Sequence, residues 1–318
     1  MSIQVAVIGS GRWGKNHIST LDSISKSHGI TKLLVCDSNK ETLEQWHDSN
    51  HECFESISEM LKNHHPDFAV IATPPESHFS IAKQLMERKI NVLVEKPLSQ
   101  NLDDANSLLD QSEESGCILS VGVLLRFHSG IMLAKKILSS GRIGDIVSLR
   151  FERHSTRQIP KYADLVDAMG IHAIDSILYL LGEKYPNQTI LESAQKEDGK
   201  FASCAFSLEF DDNVSGEISI GWSFEQESRI LQIIGTEGNI VVDFSDYESI
   251  KLLKDGKEEI CLTQNNTPPL EAELIHMINS CEMQRNGEEA PLNQTRWSTI
   301  TGVKWSQDAK QHLLNFPN

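Results

Sequence analysis

Basic residues are the scarcer charged class in this chain. Lys and Arg number 29 against 45 Asp and Glu, a formal net charge of −16 over 318 residues. Phosphate backbones and anionic membranes attract basic surfaces, so this balance argues against a nucleic-acid or membrane partner. A local basic patch could still hold one anionic small molecule. Long apolar runs are also missing, and none reaches the length a bilayer-crossing helix requires. The six cysteines (Cys36, Cys53, Cys117, Cys204, Cys261, Cys281) make no C-x-x-C pair and no metal-ligand spacing. No metal site is expected, and cysteines inside apolar runs read as buried, reduced thiols. The chain has no internal repeat, no low-complexity segment and no room for a signal peptide ahead of its first apolar run. A cytoplasmic protein of ordinary soluble composition is expected, large enough for two cores.

What is present is a glycine pattern at the end of a strand. Ile3 to Ile8 is an apolar run that leads into Gly9-Ser10-Gly11-Arg12-Trp13-Gly14, spaced G-x-G-x-x-G. His17, Ile18, Leu21 and Ile24 then follow at helical spacing. Strand, tight turn and helix start together point to dinucleotide binding, with the helix's unpaired N–H groups facing phosphate. A second run, Leu33 to Cys36, ends in Asp37, where a carboxylate can accept from a ribose diol. An Asp there repels a 2′-phosphate, so NAD is favoured over NADP.

Buried strands and amphipathic helices then alternate. A short helix is expected over 41–49, a strand over 52–54 and a capped helix from Ser56 that buries Ile57, Met60 and Leu61. Strands follow at 68–72, 92–94 and 117–121, with helices marked by Ile81 to Met86 and, after an Asn101 cap, by Leu102 to Leu109. This alternation specifies an α/β unit of Rossmann type, a doubly wound parallel sheet over 1–122. Ligands bind beyond the carboxyl ends of such strands. That rule gathers the glycine turn with Arg12 and Trp13, then Asp37, then Thr73 and Pro74, and finally Glu95, Lys96 and Pro97 on one rim.

From 123 onward the patterning changes. Ile131 to Leu138 marks a helix, and period-two alternation begins at Ile146. The runs 202–210 and 214–222 flank Asp211-Asp212-Asn213 as a hairpin. A second domain over 123–318 is expected, α+β and built on a mostly antiparallel open sheet. Its outer face is small and Ser-rich.

The motifs resemble those of the Gfo/Idh/MocA oxidoreductases across nearly the whole chain. Shared elements are the glycine pattern with Trp13, Asn16 and His17; Ala72-Thr73-Pro74-Pro75 with His78; and Glu95-Lys96-Pro97-Leu98-Ser99. Gly122 with Arg126-Phe127, the segment around His172, and Gly235 to Gly238 complete the likeness. The resemblance implies a catalytic Lys96, a cis peptide before Pro97, His78 among the cofactor-binding residues, and a homodimer or homotetramer formed through the open sheet.

A helix over 171–181, ended by Gly182, carries an apolar stripe of Ile174, Ile177, Leu178 and Leu181. His172, Asp175, Ser176 and Tyr179 share the opposite face. One helical turn separates the imidazole from a carboxylate that could orient it, so His172 and Asp175 join Lys96 as catalytic candidates. Many relatives carry an Asp four residues before this His, where Ala168 stands here; adjacent Asp167 is a further candidate. Val123 also departs from the polar residue of many relatives. Arg126, Arg153, Arg157 and Tyr179 are candidates for holding substrate, with Lys161 close by; the basic group suits an anion such as a nucleotide-sugar diphosphate. His64-His65, and His47 with His51, read as surface residues. The expected activity is NAD(H)-dependent hydride transfer at a secondary alcohol or ketone of a sugar-like substrate, with a nucleotide sugar, an inositol or a free sugar as alternatives. A non-catalytic NAD-sensing regulator is the reading from another class.

Overall fold

The computed structural model describes residues 2–46, 51–161, 164–182, 184–291 and 295–316. By internal contact the chain divides into two compact units. One comprises Met1–Gly122 with Leu270–Val303, the other Val123–Pro269 with Lys304–Asn318.

In the first unit, strands β1 (Ile3–Ile8), β2 (Ile30–Cys36), β3 (Glu52–Phe54), β4 (Phe68–Ile71), β5 (Asn91–Glu95) and β6 (Leu119–Gly122) form one sheet. Its order is β3-β2-β1-β4-β5-β6 and every pairing is parallel. Connecting helices are α1 (Arg12–Ile24), α2 (Lys40–Glu44), α3 (Ile57–Met60), α4 (His78–Met86) and α5 (Leu102–Ser115). The doubly wound sheet is therefore as the alternation predicts. β4 and β5 are buried at every position, as strands covered on both faces must be. The Asn101 side chain accepts from the Asp104 N–H, a cap worth about 1 kcal/mol.

Two local expectations change. The helix expected over 41–49 is α2, ending at Glu44, and 47–50 lie outside the described residues. The helix begun by Ser56 is a single turn that buries only Met60.

A larger difference concerns the domain ranges. Helix α8 (Pro269–Arg285) falls within the expected second domain, yet Leu274, Met277, Ile278 and Cys281 pack in one cluster with Ile3, Val5, Val7 and Phe68. Asn91 donates to Gln284 at 2.9 Å, and Arg285 pairs with Asp67 at 2.5 Å. Leu274, Met277, Ile278 and Cys281 share one helical face at i, i+3, i+4, i+7 spacing, and that face is the one buried in the first unit.

The second unit holds α6 (Ser129–Ser139), β7 (Ile146–His154), α7 (Ile171–Leu180) and strands β8 (Gln188–Glu197), β9 (Lys200–Glu209), β10 (Ser215–Gly221), β11 (Ser228–Gly235), β12 (Asn239–Asp243), β13 (Ser249–Lys254) and β14 (Lys257–Leu262). The eight strands run β14-β13-β12-β11-β7-β10-β9-β8. All pair antiparallel except β7 with β10. Asp211–Asn213 turns the β9–β10 hairpin, with Asp212 and Asn213 at φ 61° and 58°, a conformation Asp and Asn tolerate better than most residues. One face buries Leu149, Phe151, Phe206, Ile220 and Leu231 against Ile131, Ile174 and Ile177 of the helices. On the other face, Arg150 pairs with Glu217, and His154 meets Ser219 at 2.8 Å. Last comes α9 (Arg296–Leu314), whose Trp305 lies edge-on to Phe206.

Candidate active site

The rim of the parallel sheet is set by register. Cys36, Ile8, Ile71 and Val94 stand in one row across β2, β1, β4 and β5. Asp37, Gly9, Ala72 and Glu95 therefore follow along the same edge, with Lys96 one residue beyond.

At this edge the glycine turn has the shape a dinucleotide needs. Gly9 has φ +88°, and a Cβ there would lie 2.8 Å from the Ala72 carbonyl oxygen. At Gly14 a Cβ would come within 1.8 Å of the Gly9 carbonyl oxygen, so only glycine lets α1 start this close to β1. A Cβ on Gly11 would meet nothing within 4 Å, which leaves open space at the helix N-terminus. No side chain caps α1, and no acidic residue occupies its first turn. Its first N–H groups are thus available to a pyrophosphate. Arg12 is exposed beside this opening and Trp13 is half-buried.

Asp37 is bonded into the glycine turn. Its Oδ2 accepts from the Ser10 N–H at 2.6 Å and the Ser10 hydroxyl at 3.0 Å, and its Oδ1 accepts from the Asn39 N–H at 2.8 Å. The carboxylate braces the glycine turn and keeps lone pairs for a diol. The open space, the uncapped helix and this carboxylate together suit NAD.

On the other side of the rim, the peptide between Lys96 and Pro97 is cis, as the resemblance implies. Glu95 is buried and its Oε1 lies 2.8 Å from His17 Nε2 on α1. The Lys96 N–H donates to Glu95 Oε2 at 3.3 Å. His78, which the resemblance places among the cofactor-binding residues, is 1% exposed, with each ring nitrogen against a backbone carbonyl. Its Nδ1 lies 2.8 Å from the Pro97 oxygen and its Nε2 2.9 Å from the Thr73 oxygen. Thr73 receives the Ser77 hydroxyl at 2.7 Å, and Pro74 is exposed. Lys96 itself is half-buried between two buried neighbours, Glu95 and Pro97.

In the second unit, α7 is buried all round, so His172, Asp175 and Ser176 point into protein rather than solvent. Asp175 takes a fork from Arg126: Nε at 3.0 and 2.9 Å to its two oxygens, and Nη2 at 2.8 Å. The Arg126 guanidinium also lies 5.1 Å from the Tyr179 ring centroid, with the Lys135 ammonium 4.8 Å from the same ring. Burial raises the Tyr179 hydroxyl pKa, which Arg126 partly offsets. Arg126, Asp175 and Tyr179 thus converge, but as an internal ion pair under an aromatic ring. The carboxylate expected to orient His172 is the anchor of Arg126.

Asp167 goes elsewhere too. It lies in a wide π turn, Val166–Gly170, that precedes α7. Its carboxylate meets the Lys310 ammonium at 2.6 Å and the Ser306 hydroxyl at 3.1 Å on α9. Ala168 packs against the hydrophobic core. Arg153 is half-buried and Arg157 exposed, and Arg229 is a third member of their cluster that the sequence pattern does not single out. Lys161 offers its carbonyl to Lys200. The surface reading of two histidines is corrected. His51 lies 3.1 Å from Asp22 and His64 3.0 Å from Glu52, both with largely buried side chains. His47 is outside the described residues. Among the described residues, no group of three His, Cys, Asp or Glu side chains could hold a metal, and no helix is long and apolar enough to cross a membrane.

Comparison with known proteins adds the lineage. The model of the GFO_IDH_MocA oxidoreductase family, NAD-binding Rossmann fold, matches residues 3–123, and that of the GFO/IDH/MocA C-terminal domain matches residues 131–241. The chain is similar to scyllo-inositol 2-dehydrogenase (NAD(+)) of Bacillus subtilis, 24% identical over 309 residues covering 90% of this chain and 87% of that one. It is also similar to 2,7-anhydro-N-acetylneuraminate hydratase of Mediterraneibacter gnavus, 24% identical over 274 residues covering 81% and 71% of the two chains. Among solved structures, UDP-N-acetylglucosamine 3-dehydrogenase GnnA from Acidithiobacillus ferrooxidans superposes with a TM-score of 0.84. It is 19% identical, with 98% of each chain covered.

Proposed function

The chain belongs to the Gfo/Idh/MocA oxidoreductases and is an NAD-dependent enzyme, and from that premise we propose that it oxidises or reduces a secondary alcohol or ketone carbon of a sugar-like substrate. NAD supplies the hydride acceptor or donor. The glycine turn and the N-terminus of α1 bind it, and Asp37 orients its ribose. Lys96 hydrogen-bonds the reacting oxygen and carries its proton, as a half-buried ammonium on a rigid strand end can. His172 is the second proton-handling group.

The observation that most supports this reading is the position of Lys96. It stands one residue beyond the row that carries the glycine turn and Asp37, between two neighbours tied down by His17 and His78. A homo-oligomer through the open sheet is part of the proposal, supported by the exposed row Ile234 and Leu253, which flank Asn239 in register, with Val147 nearby.

The test follows NADH absorbance with purified protein and a panel of inositols, free sugars, sugar phosphates and nucleotide sugars. Turnover of at least one member is expected. Saturable NAD binding with no turnover across the panel would contradict the reading.

A further inference from the structure

We propose that Arg153, Arg157 and Arg229 form an anion site in the second unit that takes a phosphoryl group of the substrate, so that the substrate is a phosphorylated sugar. The site stands on its own geometry; its assignment to substrate rests on the dehydrogenase reading above.

The register of the sheet creates the cluster. Arg153 near the end of β7 stands directly opposite Arg229 of β11. Arg153 alternates with Phe151 and Arg229 with Leu231, so both project from the face that also carries α7 and His172. Like charges directly opposed across two strands are destabilising. Arg157 adds a third, in a loop fixed by Ser223 N–H to its carbonyl and Phe224 N–H to the Ser155 carbonyl, each at 3.0 Å.

The carboxylate beside these arginines is already committed. Glu227 accepts from the Thr156 N–H at 2.8 Å, the Ser155 hydroxyl at 3.0 Å, the Thr156 hydroxyl at 3.1 Å and Arg229 at 3.2 Å. Those bonds hold its pKa at about 2. The Arg153 and Arg157 guanidiniums make no hydrogen bond or ion pair among the described residues. Burial, reinforced by Arg229 and Arg157, pushes the Arg153 pKa down to about 10. Gathering three guanidinium groups around one spent carboxylate does not stabilise a fold. An oxyanion would supply the missing acceptors, and a phosphoryl group offers several oxygens to planar N–H forks at once. The same chemistry is presented by a sugar monophosphate and by a nucleotide-sugar diphosphate.

The test uses protein saturated with NAD, so that the glycine turn is filled, and titrates it calorimetrically with inorganic phosphate and with inorganic pyrophosphate at constant ionic strength. Saturable binding is expected, weakened about 10-fold or more in Arg153→Met and in Arg157→Gln, the latter an exposed position that leaves the core untouched. NAD affinity should stay unchanged in both, and neither variant should melt at a lower temperature. Stronger binding of pyrophosphate points to a diphosphate, and of phosphate to a monophosphate. Absence of saturable binding, or binding by both variants as tight as that of the unmodified protein, overturns the anion site and leaves the dehydrogenase reading intact. Turnover of neutral polyols alone, by enzyme that binds pyrophosphate, overturns the assignment to substrate.

Discussion

His78 Nδ1 lies 2.8 Å from the carbonyl oxygen of Pro97, and its Nε2 lies 2.9 Å from that of Thr73. One buried ring thus joins the loop after β4 to the residue following Lys96. Carbonyl oxygens only accept, and a ring with one N–H can donate to one of them at a time. From the opposite side, His17 on α1 holds Glu95, the residue preceding Lys96. The two histidines bracket the proposed proton carrier without needing to touch substrate.

His78→Gln tests the bracket. An amide presents both of its N–H groups from a single nitrogen and so cannot replace two ring nitrogens set against separate carbonyls, and Lys96 loses its fixed direction. Turnover is expected to fall about 10- to 100-fold, because small misplacements at a reacting centre carry penalties of that order. The NAD dissociation constant should change little. Steady-state kinetics alongside NAD titration checks this; equal losses in both would point to general unfolding of the rim.

Asp37 carries two tasks, and its removal should reveal both. Asp37→Ala is expected to weaken NAD more than NADP. It should also lower stability by about 1–3 kcal/mol, since Ser10, 1% exposed, loses the acceptor of its N–H. Fluorescence titration with each cofactor and a urea melt separate the effects. An unchanged cofactor preference would remove the argument from the second strand.

The pH dependence of stability has a named contributor in the second unit. His128 caps α6, its Nδ1 accepting from the Gly130 N–H at 3.1 Å, and its ring packs between Phe244 and Tyr247. Burial lowers its pKa from 6.5. The unfolded chain therefore takes up a proton that the folded ring resists, and stability falls as pH drops through about 6.5. Urea midpoints compared at about pH 7.5 and about pH 5.5 should show this decline. His128→Asn keeps a capping acceptor and should flatten it; an identical slope would place the effect elsewhere.

Much of the first unit was legible because its signals are local. A turn that only glycine can make, an acid at the next strand end and buried runs of strand length each carry their meaning within a few residues. The cap at Asn101 and the Asp211–Asn213 hairpin were readable for the same reason. What escaped depends on partners distant in sequence. Asp175 looked like a helper for His172 because helical spacing brings them together, whereas its partner is Arg126, 49 residues earlier. Asp167 looked like a displaced catalytic acid until Lys310 supplied its counter-ion. Arg229 stood in an unremarked strand until register set it against Arg153. Helix α8 packs with Ile3, Val5, Val7 and Phe68, partners from the other end of the chain.

The central claim is that Lys96 moves the proton and does not hold the cofactor. Lys96→Met, with NADH production and NAD affinity measured on the same preparation, tests it most directly. Turnover is predicted to fall by about 10²- to 10⁴-fold while NAD binding stays within about twofold. Loss of NAD binding in parallel with activity, or activity retained near the level of the unmodified enzyme, would contradict it.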